Sequence, residues 1–185
     1  LDSRKQYSSM IIQKTLIAMM QTTPITAISV TALCKAAHIN RGTFYLQYAD
    51  PCDVLRQIED ELFHKVADVL ESSHITSADR GFLVTLLAFL VQNSETCKVI
   101  FNTTEGYTFL QKIMKFAHDK SIGAYKAAAP ETSEEKIENT FRFVANGMIG
   151  VIQQWVESGM KESPEKLADF LATLNMQCIR HLQKG

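Results

Sequence analysis

The sequence predicts an all-α fold, with an N-terminal three-helix helix-turn-helix domain followed by a C-terminal helical bundle. Three observations carry that prediction. The apolar pattern stays helical beyond the first third of the chain, no segment shows strong strand alternation, and only 4 Pro and 8 Gly interrupt 185 residues. Within Ser29–Leu55, SVTALCKAAHINRGTFYLQYADPCDVL, two short helices are joined by a tight turn and followed at once by a third. A hydrophobic content of 46% can bury a real core at this length, so disorder is not expected.

Val30, Leu33, Cys34 and Ala37 fit one face of the first short helix, Ile39 falls in the turn, and Phe44 anchors a second helix from about Arg41 to Gln47. Arg41, Gly42, Thr43, Leu46 and Gln47 are left outward, with Tyr45 flanking. These residue types suit a duplex surface. Hydroxyls, a guanidinium and a small Gly approach phosphates closely, and a Gln amide can reach a base edge. Periodicity alone is equally compatible with an ordinary small helical domain.

The next helix runs from Pro51 to about Ser73, with Val54, Leu55, Ile58, Leu62, Val66, Val69 and Leu70 on its apolar side. Ser77 precedes a helix over Phe82–Val91, Ser94 precedes Glu95–Phe101, and another helix spans about Glu105 to Ala127, with a turn at Pro130. Thr132 with Glu135 three residues on reads as a capping box opening a long helix that ends near Gly159. Ser163, Pro164 and Glu165 supply a cap, a first-turn Pro and a first-turn carboxylate for the last helix.

The residues ISVTALCKAA and above all Ile39-Asn40-Arg41-Gly42-Thr43-Phe44-Tyr45, with Tyr48 and Asp50 behind them, resemble the TetR-type bacterial transcriptional regulators. The resemblance covers about Ile12 to Leu55, and its wording looks most like a subgroup common in Gram-positive bacteria. It implies a first helix over roughly Arg4–Gln21, a second helix of the motif that enters the major groove, and a connecting helix leading to a variable regulatory domain. The domains expected are residues 1–50 for DNA binding and 51–185 for ligand binding and dimerisation. The candidate DNA contacts are Ser29, Thr31, Asn40, Arg41, Gly42, Thr43, Tyr45, Leu46, Gln47 and Tyr48.

Three positions depart from the family pattern. His38 occupies a turn position usually filled by Gly, and a left-handed conformation there costs a non-Gly residue about 1 kcal/mol. Pro51 stands where a Lys is usual, which preorganises a helix start behind Asp50 as cap but removes a phosphate-binding cation. Leu46 and Gln47 sit where Arg or His is common, so base preference does not transfer from relatives.

Charge is distributed as a DNA-binding head on a separate body would require. The net charge is −1, composed of +3 over residues 1–50, where Arg4, Lys5, Lys14, Lys35 and Arg41 oppose Asp2 and Asp50, and −4 over the remainder. The four cysteines, Cys34, Cys52, Cys97 and Cys178, form no CxxC pair and have no His at ligand spacing, so neither a zinc site nor a disulfide framework is expected. His64 and Asp68 share a helix face, but two ligands without a third make a weak metal site. No cofactor is expected. There is no signal peptide, and the apolar run Phe82–Val91 is too short to span a bilayer, so a cytoplasmic protein without membrane association is expected. The chain begins on Leu1 rather than Met, as a trimmed start would.

Phe141, Val144, Met148, Ile152 and Trp155 form one apolar stripe, and Gly147 and Gly150 place small residues where another backbone can approach. Leu167, Phe170, Leu171, Leu174, Cys178 and His181 form another in the last helix. Two such helices suit pairing with a second copy as a four-helix bundle, as the last two long helices do in relatives. The candidate interface is Gly147, Gly150, Val151, Gln154, Leu167, Phe170, Leu171, Leu174 and Cys178, although the same stripes also read as monomer core. Two heads would then occupy successive major-groove faces of a pseudo-palindrome.

An effector pocket would draw on Leu86, Phe89, Leu90, Phe101, Tyr107, Phe109, Ile113, Met114 and Trp155, residues that equally read as plain core. His118, Asp119 and Tyr125 could add polar contacts, although a helical His beside a charge is usually solvated surface. The leading expectation is a homodimeric repressor of double-stranded DNA released by a small-molecule effector. The alternatives are control by a protein co-regulator or a helical interaction protein without effector. No catalytic triad, phosphate-binding glycine loop or metal triad is proposed, so an enzyme is not expected.

Overall fold

The computed structural model describes residues 2–72, 80–101 and 104–183. Among the described residues it contains nine α-helices, one 3-10 turn and no strand. Chain packing divides the molecule into two compact units, residues 1–62 and 63–185.

The first unit holds α1 (Asp2–Met20), the 3-10 turn Ile25–Ala27, α2 (Val30–Ala36), α3 (Arg41–Tyr45) and the opening turns of α4 (Pro51–Ser72). Its buried side chains come from every element: Ile12 and Leu16, Ile25 and Ile28, Leu33 and Cys34, Phe44 and Tyr48, then Val54, Leu55 and Ile58. Spacing of three and four residues explains the helical contributions, because such positions lie one above another on a helix.

The cap predicted at Asp50 forms, and Ser29 and Asn40 supply two more. Ser29 Oγ accepts the Ala32 amide at 3.1 Å and Asn40 Oδ1 accepts the Thr43 amide at 2.7 Å. Asp50 Oδ1 accepts the Asp53 amide at 2.8 Å, while Asp53 Oδ2 reaches back to accept the Ala49 amide at 2.9 Å, so both carboxylates hold the start of α4. His38 takes the left-handed conformation anticipated for its position, with φ 55°. It ends α2 by two reversed hydrogen bonds, His38 N–H to Lys35 O and Ile39 N–H to Cys34 O.

The second unit holds the rest of α4, α5 (Arg80–Gln92), α6 (Ser94–Phe101), α7 (Thr104–Ala128), α8 (Glu134–Glu157) and α9 (Pro164–Leu182). α5 lies along α9, α7 along α8, and α8 along α9. α5 and α6 meet at 93° around Asn93, whose side-chain amide donates to Phe89 O. One core cluster consists of Tyr125, Ala129, Ile137, Phe141 and Leu182. A buried hydrogen bond from the Tyr125 hydroxyl to Asn175 Oδ1 ties α7 to α9, and Arg80 pairs with Asp169 across α5 and α9. Among the described residues no single helix is long and apolar enough to cross a membrane.

The α8 cap differs from the sequence expectation. Ser133, not Thr132, caps the helix, because its hydroxyl accepts the Lys136 amide while Thr132 Oγ1 is turned to donate to Leu182 O at 2.9 Å. α8 ends in the same reversed pattern as α2, with Gly159 at φ 87° where α2 has His38. Ser163 caps α9 and Pro164 opens it as predicted. The predicted start at Ser77 and the side chains of Val69 and Leu70 lie outside the described residues.

Candidate nucleic-acid interface

α3 has one inward and one outward side, and Phe44 and Tyr48 define the inward one. Phe44 is fully buried, edge-on to Tyr45 at 5.6 Å and tilted against Tyr48 at 5.7 Å. α3 itself stops at Tyr45 rather than Gln47. Leu46 is its C-cap, and the Gln47 and Tyr48 amides both return to Phe44 O, which folds the chain back toward the core.

That turn gives two of the candidate residues partners within the unit. Tyr48 is buried, and its hydroxyl shares a 2.5 Å hydrogen bond with Ser9 and accepts from Gln13 Nε2. It positions α3 against α1. Gln47 is half-buried and its amide donates to Ser8 Oγ at 2.7 Å, so the group expected to read a base edge is engaged with α1. Ser29 and Asn40 are exposed, with their side-chain oxygens committed to the caps of α2 and α3.

The remaining candidates on α3 stand on its outer side, and Thr31 is exposed on α2. Thr31, Arg41, Gly42, Tyr45 and Leu46 are exposed and Thr43 is half-buried. Arg41 lies over the Tyr45 ring at 5.8 Å and donates to its hydroxyl at 3.4 Å, holding a cation beside a phenol one turn apart. That hydrogen bond raises the guanidinium pKa further above its ordinary value. A Cβ on Gly42 would sit 3.2 Å from Asn40 Oδ1, so glycine keeps the cap uncrowded as well as the surface low. Burial pushes the Cys34 thiol up. A basic residue from the last turn of α2, Lys35, is exposed beside this motif in sequence.

In the second unit the structure separates residues that the sequence grouped. Leu90, Phe109 and Trp155 are buried, with the Trp155 ring N–H donating to Glu162 O, so they serve the core. Leu86, Phe89, Phe101, Ile113 and Met114 are half-buried, and the Tyr107 side chain lies outside the described residues. His118 is not a solvated surface residue: its Nε2 meets Glu138 Oε2 at 2.9 Å, its Nδ1 meets Asp119, and its ring abuts Phe141.

The candidate interface residues likewise divide. Leu167 and Leu171 are buried within the chain's own fold, where α9 packs on α5 and α8. Gly147, Gly150, Gln154, Phe170 and Leu174 are exposed, and Val151 and Cys178 half-buried. A Cβ on Gly147 or Gly150 would meet nothing within 4 Å. Phe143, which sequence reasoning missed, is 74% exposed, and Met176 stands out on α9. The signal for Phe143 was present, since it falls off the inward stripe of α8 and shares a face with Gly147, Gly150 and Gln154. An open groove of about 570 Å³ beside Phe143 is lined by Lys136, Thr140, Gln177, Cys178 and His181.

The profile of the TetR-type transcriptional regulator C-terminal region matches residues 80–177, more than half of the chain. The chain belongs to the TetR family of transcriptional regulators. Members of the family are non-enzymatic DNA-binding regulators, and the solved structures agree in fold across both units of this TetR-family chain. The dihydroxyacetone kinase operon activator DhaS is 22% identical with a TM-score of 0.66, over 94% of this chain and 97% of its own. A TetR transcriptional regulator from Streptococcus agalactiae is 19% identical with a TM-score of 0.67, over 94% and 96%. The fatty acid degradation regulator FadR from Bacillus halodurans is 14% identical with a TM-score of 0.69, over 91% and 94%. No protein of curated function matches the sequence.

Proposed function

We propose that this TetR-family regulator is a homodimeric repressor that holds a pseudo-palindromic operator through the outer side of α3 in each DNA-binding domain, residues 1–50. A small-molecule effector bound to the regulatory domain, residues 51–185, then releases it. The observation that carries the reading is the two-sided division of α3, in which Phe44 and Tyr48 are buried while Arg41, Gly42, Tyr45 and Leu46 stand outward on a net positive head. Five helical residues offer few base contacts, so a second head on the next major-groove face supplies the selectivity that one lacks.

The exposed faces of α8 and α9 support the dimer. Phe143, Gly147, Gly150 and Gln154 share one face of α8, and Phe170, Leu174 and Gln177 share one of α9. Such a patch is self-complementary under twofold symmetry. An effector that prefers the conformation with badly spaced heads lowers operator affinity by its differential affinity for the two states. The half-buried apolar residues Leu86, Phe89, Ile113 and Met114 are the candidates to receive it. Acting on chromosomal DNA places the protein in the cytoplasm.

Selection of duplexes from a random pool, followed by affinity measurement against salt, tests this function. An inverted repeat should emerge, bound by a dimer with steeply salt-dependent affinity, and Arg41→Ala should reduce the salt slope by about one. Failure to select any duplex refutes DNA reading, and a monomer at micromolar concentration refutes the symmetric operator. Release of operator by a purified protein partner, and by no metabolite fraction, would favour a protein co-regulator over a small molecule.

A further inference from the structure

We propose that Leu46 reads thymine, its side chain packing in each head on the C5-methyl group of one thymine in the major groove. The proposal rests on the DNA-binding function above and adds the chemistry of the base that is read. At about 100° per residue, the direction opposite the buried Phe44 is occupied by Leu46 and, one turn earlier, by Gly42. The outermost line of α3 is therefore a hydrogen followed by an isobutyl group.

Leu46 is 81% exposed, the highest value among the exposed large hydrophobic residues described. The polar neighbours do not compete for this line. Gln47 is turned back to Ser8, and Arg41 is stacked over Tyr45 to one side. Thr43 stands on the other side and is half-buried. The centre of the reading face thus carries no side-chain hydrogen-bonding group, while glycine one turn before it lets the backbone approach the groove floor. The methyl of thymine is the apolar group that a base edge offers in the major groove, and a protruding leucine is matched to it. No donor or acceptor on that line would distinguish the other three bases.

The test uses the full-length protein and the duplex selected above, remade with dU replacing dT one symmetric pair at a time. This change removes the methyl and keeps the base pair. One pair of replacements should weaken binding about fourfold per half-site, or about fifteenfold for the dimer on both, from the loss of one buried methyl at each. Leu46→Ala, which alters an exposed side chain and should leave the melting curve unchanged, should bind the dT and dU duplexes equally well.

An operator lacking any fixed thymine, or wild-type protein indifferent to every dU replacement, overturns the proposal while leaving DNA binding intact. Indifference is also the result expected if Leu46 serves contact with another protein. If no duplex is selected, both the proposal and the function beneath it fall.

Discussion

Replacing Phe44 by Ala should strongly destabilise the DNA-binding unit while leaving the second unit unchanged. The ring is 0% exposed and touches Tyr45 and Tyr48 at centroid distances of 5.6 and 5.7 Å. Deleting a buried Phe costs about 3–5 kcal/mol, of which such aromatic pairs supply about 0.5–1.5. At about 0.05–0.15 kcal/mol per residue, a unit of this size has about 3–9 kcal/mol in total, so the loss consumes about half or more of it. Amide hydrogen exchange on the full chain resolves the two units separately. A cost of about 4 kcal/mol predicts roughly thousandfold faster exchange in the slowest amides of residues 1–62, with those of α8 and α9 unchanged. Phe44→Leu, which keeps most of the volume, should cost about 1–2 kcal/mol and retain operator binding. If Phe44→Ala leaves protection in α2 and α3 within tenfold of wild type, Phe44 is not the anchor of α3 and the two-sided account of that helix fails.

Two further predictions concern conformation and pH. His38→Gly should stabilise the first unit by about 0.5–1 kcal/mol, because it relieves a left-handed residue at a helix end that Gly159 occupies in α8; a lowered urea midpoint would contradict this. The Glu138 carboxylate, followed by Asp119, holds the His118 pKa above its ordinary 6.5. Its stabilising contribution is therefore complete below 6.5 and is lost as pH rises through the higher folded-state value. His118→Gln should flatten that part of the Tm–pH curve, and parallel curves for variant and wild type would show that the contact contributes nothing.

The helices themselves were legible because their signals are local. Asp50 and Ser163 act within three residues, and the turn at His38 is set by the end of α2, whereas Ser29 and Asn40 proved to be caps as well. What escaped the sequence depended on distant partners. Whether Thr132 or Ser133 caps α8 is decided by the Leu182 carbonyl, fifty residues on. The hydrogen bonds of Tyr48 and Gln47 come from α1, where Ser8, Ser9 and Gln13 lie about forty residues earlier. Leu167 and Leu171 share periodicity with Phe170 and Leu174, and tertiary packing alone separates the pair inside from the pair outside. His118 likewise needed Glu138 from the facing helix to become a structural contact.

The tether from Tyr48 and Gln47 to α1 also bears on how binding preference can diverge. Because the side chains that hold α3 in place differ from those on its outermost line, Leu46 can be exchanged without loosening the scaffold. Gly42 is less free, since a side chain there presses on the Asn40 cap. On the proposed role of Leu46, the first unit is suited to acquiring a new operator by a single substitution, with duplication and drift at position 46 separating two regulators before any change in their cores.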